Sequence, residues 1–414
     1  MEVLMYGWEF PPYINGGLGV ACEGIVKGLL SKQVDITLVL PIPDEDKAPQ
    51  FNVLGEKLKI KYIKSILTPY MSPSTYTEIV GKYTNTEKEN ELGVDLISEV
   101  KRYADKAGEM AVEIPHDIIH VHDWLTVLAG VEAKKISKKP LIFHVHALEI
   151  DRSYEHPNPT IFEIEKRGFM ESDYIIAVSH YTKNLIIDNY KINPEKITVV
   201  HNGLSPYLDA SFQSNHSKKL NIILFLGRIT SQKGPYFFIE AAHKILSTRK
   251  NVCFVMAGEG DLLQSMIEHV AKLRIGKYFY FTGFLSRKEV EKIYGMSKVY
   301  VMPSLSEPFG ISCLEALSKN VPIIISKRSG AAEVLHHVIK VDFWDTNEMA
   351  SKILAILDYT ALGNEMLKNS KADLKKCVWD NSAQKILETY QLFMENLPYP
   401  PFSKGGNIKE IHNA

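Results

Sequence analysis

Two glutamates, Glu307 and Glu315, stand with seven residues between them, and the first is followed by Pro308-Phe309-Gly310. Apolar residues 299–302 read as a strand, and a helix reads as starting near Ile311. The first N–H groups of a helix point out of its end, where the dipole is positive. Gly310 lets the backbone approach a ligand closely. Such an end suits a diphosphate. The two carboxylates can then face sugar and ribose hydroxyls. The plain alternative is one solvated loop carboxylate and one carboxylate on a helix surface.

Three further clusters carry chemistry. Gly227-Arg228 and Gln232-Lys233-Gly234 follow a strand at 221–226, where a turn into a helix meets phosphate. Arg grips phosphate oxygens with two parallel bonds, and Lys supplies a compact charge; cations beside an ordinary turn are the alternative. Asn15-Gly16-Gly17-Leu18-Gly19 follows the first strand and leads into a helix. It lacks the spacing of a dinucleotide fingerprint. His144-Val145-His146 ends a strand and precedes Glu149, Asp151 and Arg152. An isolated His there is more often structural. His122-Asp123-Trp124 also follows a strand.

These clusters need elements to position them. Strands read at 3–6, 36–40, 118–121, 141–145, 174–178 and 197–200, with helices at 21–30, 90–113 and 159–170 between them. Residues 205–219, rich in Ser, Asn, Asp and Lys, read as a linker. The rhythm restarts with strands at 221–226, 252–257, 278–282, 299–302 and 321–325. Helices read at 236–246, 262–273, 349–358 and 382–395. Runs of Ile and Val between helices predict buried parallel sheets, hence two doubly wound α/β domains facing across a cleft. The division predicted is 1–205 plus a returning helix at 380–396, then 206–379, with 397–414 a flexible tail.

The totals narrow the class. The chain has 414 residues, a net charge of -1 and 45% hydrophobic residues, which gives no reason to expect nucleic acid as a partner. Cys22, Cys253, Cys313 and Cys377 are far apart, which points away from a disulfide framework or zinc knuckle and toward a cytoplasmic setting. Peripheral membrane contact stays open. No apolar run reaches spanning length. Asp44-Glu45-Asp46 reads as a solvated loop with no bound metal.

The segment Glu307 to Glu315 resembles the E-x7-E motif of family 4 retaining glycosyltransferases, which have the GT-B fold, and the layout is similar to that of glycogen synthases. The resemblance covers residues 1–395. It implies a nucleotide-diphosphate sugar as donor (UDP, ADP or GDP), a carbohydrate or other hydroxyl acceptor such as an α-glucan, and no separate cofactor. It implies that Glu307 approaches the donor sugar and that Phe309, Gly310 and Ile311 offer backbone groups. Glu315 would hold the ribose, Phe284 and Leu285 the base. Arg228 and Lys233 would neutralise the leaving diphosphate, with Gly16 and Gly17 over it from the other domain and His146 beside the sugar. Asn15 departs from the Lys that bacterial glycogen synthases carry before the paired glycines. Glucose is the leading sugar, and attack from the face the diphosphate leaves is the implied route. A nucleotide-sugar epimerase, a sugar phosphorylase and a non-catalytic binding module are the competing readings. For acceptors, Tyr62, Tyr70, Tyr76 and Tyr83 can stack on sugars or pack a loop. The oligomeric state is open.

Overall fold

The computed structural model describes residues 1–11, 16–43, 57–68, 71, 73–83, 92–153, 156–204 and 221–394. Asn15, Asp44-Glu45-Asp46, Tyr70, the side chain of Tyr83, the stretch 205–219 and the tail 397–414 lie outside the described residues.

Two parallel sheets form the frame. The first contains β1 (Glu2–Tyr6), β2 (Asp35–Ile42), β3 (Leu58–Lys64), β4 (Ile118–His122), β5 (Leu141–Val145), β6 (Tyr174–Ala177) and β7 (Ile197–Val199). Its order is β3-β2-β1-β4-β5-β6-β7. The second contains β8 (Asn221–Leu226), β9 (Val252–Ala257), β10 (Phe279–Gly283), β11 (Ser297–Met302), β12 (Ile323–Ser326) and β13 (Ile339–Val341), ordered β10-β9-β8-β11-β12-β13. All pairings between these strands are parallel. In each sheet the winding reverses at one place, between β1 and β4 and between β8 and β11. Ligands of open α/β sheets bind at that switch point, beyond the carboxyl ends of the strands.

The sequence explains the layers. β4, β5 and β9 are buried at every residue, as expected of strands covered on both faces. Three apolar clusters fill the layers. One covers the outer face of the first sheet and another the outer face of the second. The third runs from Val3, Met5 and Ile118 of the first sheet through Trp379 and Tyr390 to Leu224, Tyr300 and Leu314 of the second.

Several elements carried no clear period. Helix Asp123–Ser137 is apolar almost all round, because it is buried on most sides, so no stripe marks it. β3 and β13 are half-exposed, and β13 is only three residues long. The helix expected at 90–113 begins at Leu96 instead. Asp95 caps it by accepting the Ser98 N–H at 2.7 Å, which sets the boundary that periodicity alone placed too early.

The chain passes between the sheets twice, and the two passages are joined. Leu204 and Val378 form an isolated parallel bridge, and the Leu204 N–H donates to the Cys377 carbonyl at 2.9 Å. Ser382 Oγ donates to the His201 carbonyl at 2.6 Å. Helix Trp379–Met394 then lies on helix Gly17–Ser31. Gly24 makes this approach possible. A Cβ there would sit 2.1 Å from the indole ring of Trp379. Gly24→Ala should therefore overpack this joint and destabilise the protein by about 1–3 kcal/mol, read as a lowered urea midpoint. An unchanged midpoint would show that the joint is slack.

Candidate active site

The loops after β8 and β11 lie side by side at the second switch point. Lys233 ends a short 3-10 turn, Ser231–Lys233, and Gly234 follows with φ +66°. A Cβ on Gly234 would meet the Pro303 carbonyl oxygen at 2.0 Å, so only glycine lets the two loops touch. The Leu305 N–H donates to the Gln232 carbonyl at 2.9 Å and ties them. This register brings Lys233 Nζ to 2.6 Å from Glu307 Oε2. Ser304 Oγ donates to the same oxygen at 3.0 Å. Glu307 is buried, and its backbone is pinned between Arg328 and Gly330. Arg228 Nη2 donates to Gln232 Oε1 at 3.2 Å, on the same turn as Lys233.

Helix Ile311–Ser318 starts at Gly310, which has φ +100° and supplies no capping side chain. The first turn carries no acidic residue. The positive end of this helix is thus not neutralised by its own sequence. Phe309 is buried, and its carbonyl accepts from Ser329 Oγ and the Ala331 N–H. Glu315 is half-buried one turn on, with Tyr294 Oη 3.4 Å from its Oε2. Burial raises its carboxyl above the ordinary value, opposed by Arg287. Phe284 is exposed, and its N–H lies 3.4 Å from Glu259 Oε1; Leu285 beside it is half-buried.

The first sheet contributes His146 at the end of β5. Asp123 positions it. That residue has φ +57°, a left-handed conformation Asp tolerates better than most residues. Its Oδ1 accepts the His146 N–H at 2.6 Å and the Ala147 N–H at 3.1 Å. Burial pushes the Asp123 carboxyl up to about 6, against the pull of Arg152 and these two N–H groups. The weak His122-Asp123-Trp124 signal thus marks a positioning residue. His146 Nε2 lies 2.9 Å from His122 Nδ1, and their rings belong to a stack with His144 and His120. Burial holds all four imidazoles below their ordinary values, hence neutral. Three nitrogens of the stack, His122 Nε2, His144 Nε2 and His146 Nδ1, are buried without a partner. Each such atom costs about 1–3 kcal/mol.

The two halves of the site touch. Helix Glu149–Ser153 packs on the turn that carries Lys233. Asp151, buried in that helix, accepts a hydrogen bond from Ser306 Oγ, next to Glu307. Tyr181 Oη lies 2.9 Å from the same hydroxyl. Glu333 reaches back from the second sheet. It accepts the His180 and Tyr181 N–H groups at 2.9 and 2.7 Å and lies 2.9 Å from His201 Nε2. Arg152 bridges Glu149 and Glu165. Gly16 and Gly17 stand at the start of helix Gly17–Ser31 on the first sheet, where the Gly19 N–H is held by Glu9 Oε2 at 2.8 Å. Sequence reasoning missed Glu9, Ser304, Ser306 and Glu333; each is an ordinary polar residue. Ser306 meets Asp151, and Glu333 meets His180 and Tyr181, each more than 150 residues away in the chain.

Burial raises the Glu333 carboxyl, but His201 and the two N–H groups outweigh it, and the net position is below the ordinary value. A depressed carboxylate stabilises the fold above its unfolded pKa of about 4.3, and the effect disappears as pH falls through the lower folded value. Glu333→Gln should therefore lower the urea midpoint at pH 7, with the gap to wild type shrinking below about pH 4. A gap that persists unchanged at pH 3 would contradict the assignment.

Known proteins are similar to this chain. The family model described as Glycosyltransferase Family 4 matches residues 15–206, and that described as Glycosyl transferases group 1 matches residues 208–373. An uncharacterised glycosyltransferase of Methanocaldococcus jannaschii is 29% identical over 95% of this chain and 99% of its own. A glycogen synthase of Mycobacterium tuberculosis is 24% identical over 81% of this chain and 80% of its own. The structure of Anabaena HepE in complex with UDP and glucose superposes with a TM-score of 0.71 at 18% identity, covering 94% of this chain and 99% of that one. The two sheets are those of the GT-B fold. The chain belongs to the group 1, family 4 glycosyltransferases.

Proposed function

We propose that the protein is a retaining hexosyltransferase that moves a sugar, with glucose the first candidate, from a nucleoside-diphosphate sugar to a hydroxyl acceptor. The observation that carries this is the contact of Lys233 with Glu307 beside the uncapped start of helix Ile311–Ser318. A cation, a nearby guanidinium and free-pointing helix amides are the groups a departing diphosphate needs. In this reading residues 206–379 hold the donor, with Glu315 on the ribose and the backbone near Phe284-Leu285 on the base. Residues 1–205, with the returning helix, hold the acceptor.

Glu307 is poorly suited to act as a nucleophile. Its Oε2 is already engaged by Lys233 and Ser304. That arrangement favours positioning of Lys233 and of the sugar over covalent attack. The acceptor hydroxyl then attacks from the face the diphosphate is leaving, and the leaving phosphate takes its proton. Arg228, Lys233 and the amides at Gly310 and Ile311 stabilise charge on the diphosphate. His146, neutral and held by Asp123, lies on the sugar side. A glycogen synthase among the relatives makes an α-glucan the first acceptor to try, and UDP, ADP and GDP sugars the donors. Four cysteines, unpaired and buried, fit a reducing cytosol. Among the described residues no helix is long and apolar enough to cross a membrane.

Incubation with nucleotide sugars should release nucleoside diphosphate only when an acceptor is present, and the product should keep the anomeric configuration by proton NMR. A requirement for inorganic phosphate would instead indicate a phosphorylase. Lys233→Ala and Arg228→Ala should each lower turnover about 10²-fold or more, the usual cost of removing one charge stabiliser. Near-normal turnover in both would overturn the diphosphate assignment.

A further inference from the structure

The first sheet carries more imidazole than the proposed transfer uses. His120 and His122 alternate on β4, and His144 lies in register with His122 on β5, so all three side chains share one face. Their exposure is between 0 and 1%. One ligand nitrogen from each lies within 4.8 Å of the other two. His120 Nε2 and His144 Nδ1 are 3.2 Å apart, which is roughly the edge of a tetrahedron built on zinc–imidazole bonds of about 2.0–2.1 Å. His122 Nε2 and His144 Nε2 have no hydrogen-bond partner, although both are buried. The facing pair His120 Nε2 and His144 Nδ1, with the orphaned His122 Nε2, points to a missing ligand that accepts lone pairs.

We propose that His120, His122 and His144 form a binding site for one divalent transition-metal ion of the borderline class, zinc being the best fit. Tyr390 Oη lies 2.5 Å from His120 Nδ1 and fixes that ring from behind, as outer partners of metal-bound histidines do. The ion displaces the bond between His120 and His144, and the His122 ring turns inward to complete three ligands. The fourth position is filled by water. His146 is the half-buried member of the stack, so the ion enters from the cleft along it. The ion takes no part in the sugar transfer. It ties β4, β5 and helix Trp379–Met394 together beneath His146. None of this depends on the identity of the donor.

The test uses the full chain after chelator treatment, with zinc and cobalt as probes. Calorimetry with Zn²⁺ should give one saturable equivalent and a raised Tm. Co²⁺ should develop the visible absorption of a low-coordinate nitrogen site. Copper-loaded wild type should show coupling to three or more imidazole nitrogens by electron paramagnetic resonance, a readout that needs no variant to fold. His144→Leu and His120→Gln should abolish the bound equivalent, while the exposed His156→Ala retains it. The proposal is overturned if wild type binds no stoichiometric ion, if binding survives His144→Leu, or if His156→Ala removes it.

Discussion

The contact between Lys233 and Glu307 is the constraint on which the rest of the site depends. It joins the turn after β8 to the loop after β11, the two strands that flank the switch point of the second sheet. The pair is only partly shielded, with Lys233 retaining 22% side-chain exposure and Glu307 5%. A buried carboxylate with one ammonium and one hydroxyl is satisfied, and the ammonium keeps a side open to the cleft. Gly234 allows this, because any side chain there would push the turn off the Pro303 carbonyl.

From that contact the geometry propagates in two directions. Along the chain, Glu307 is followed by Phe309 and Gly310, whose left-handed backbone turns the chain into helix Ile311–Ser318. The helix start and the ammonium thus sit on adjoining loops joined through Glu307, and their fields add where charge would develop. Across the cleft, Ser306 meets Asp151, and Glu333 meets the start of helix His180–Tyr190. His146 is carried on the same side as Asp151 and is set by Asp123. A change in the angle between the sheets would therefore move His146 relative to Glu307 while leaving each half intact.

Much of the fold and part of the site were legible in the sequence. The strands read at 118–121, 141–145, 221–226 and 252–257 match β4, β5, β8 and β9 within a residue, because buried parallel strands are unbroken apolar runs. Glu307, Lys233 and Gly310 were singled out at strand-end loops, and the structure brings those loops side by side. What was hidden has physical causes. Helix Asp123–Ser137 has no polar face to give it a period. Ser306 and Glu333 act through partners in distant parts of the chain, and sequence order does not contain those distances. The role of Asp123 rests on a left-handed φ, which no residue type signals alone. The glycine pair Gly16-Gly17 stands at a helix start as read, but Glu9 already serves the Gly19 N–H there.

The central claim is that Lys233 and the start of helix Ile311–Ser318 form the seat of a nucleoside diphosphate. Calorimetric titration of UDP, ADP and GDP, each against its nucleoside, tests it most directly. At least one diphosphate should bind at one equivalent, with its nucleoside far weaker and affinity falling as salt rises. Binding of no diphosphate, or equal binding of diphosphate and nucleoside, would contradict the account.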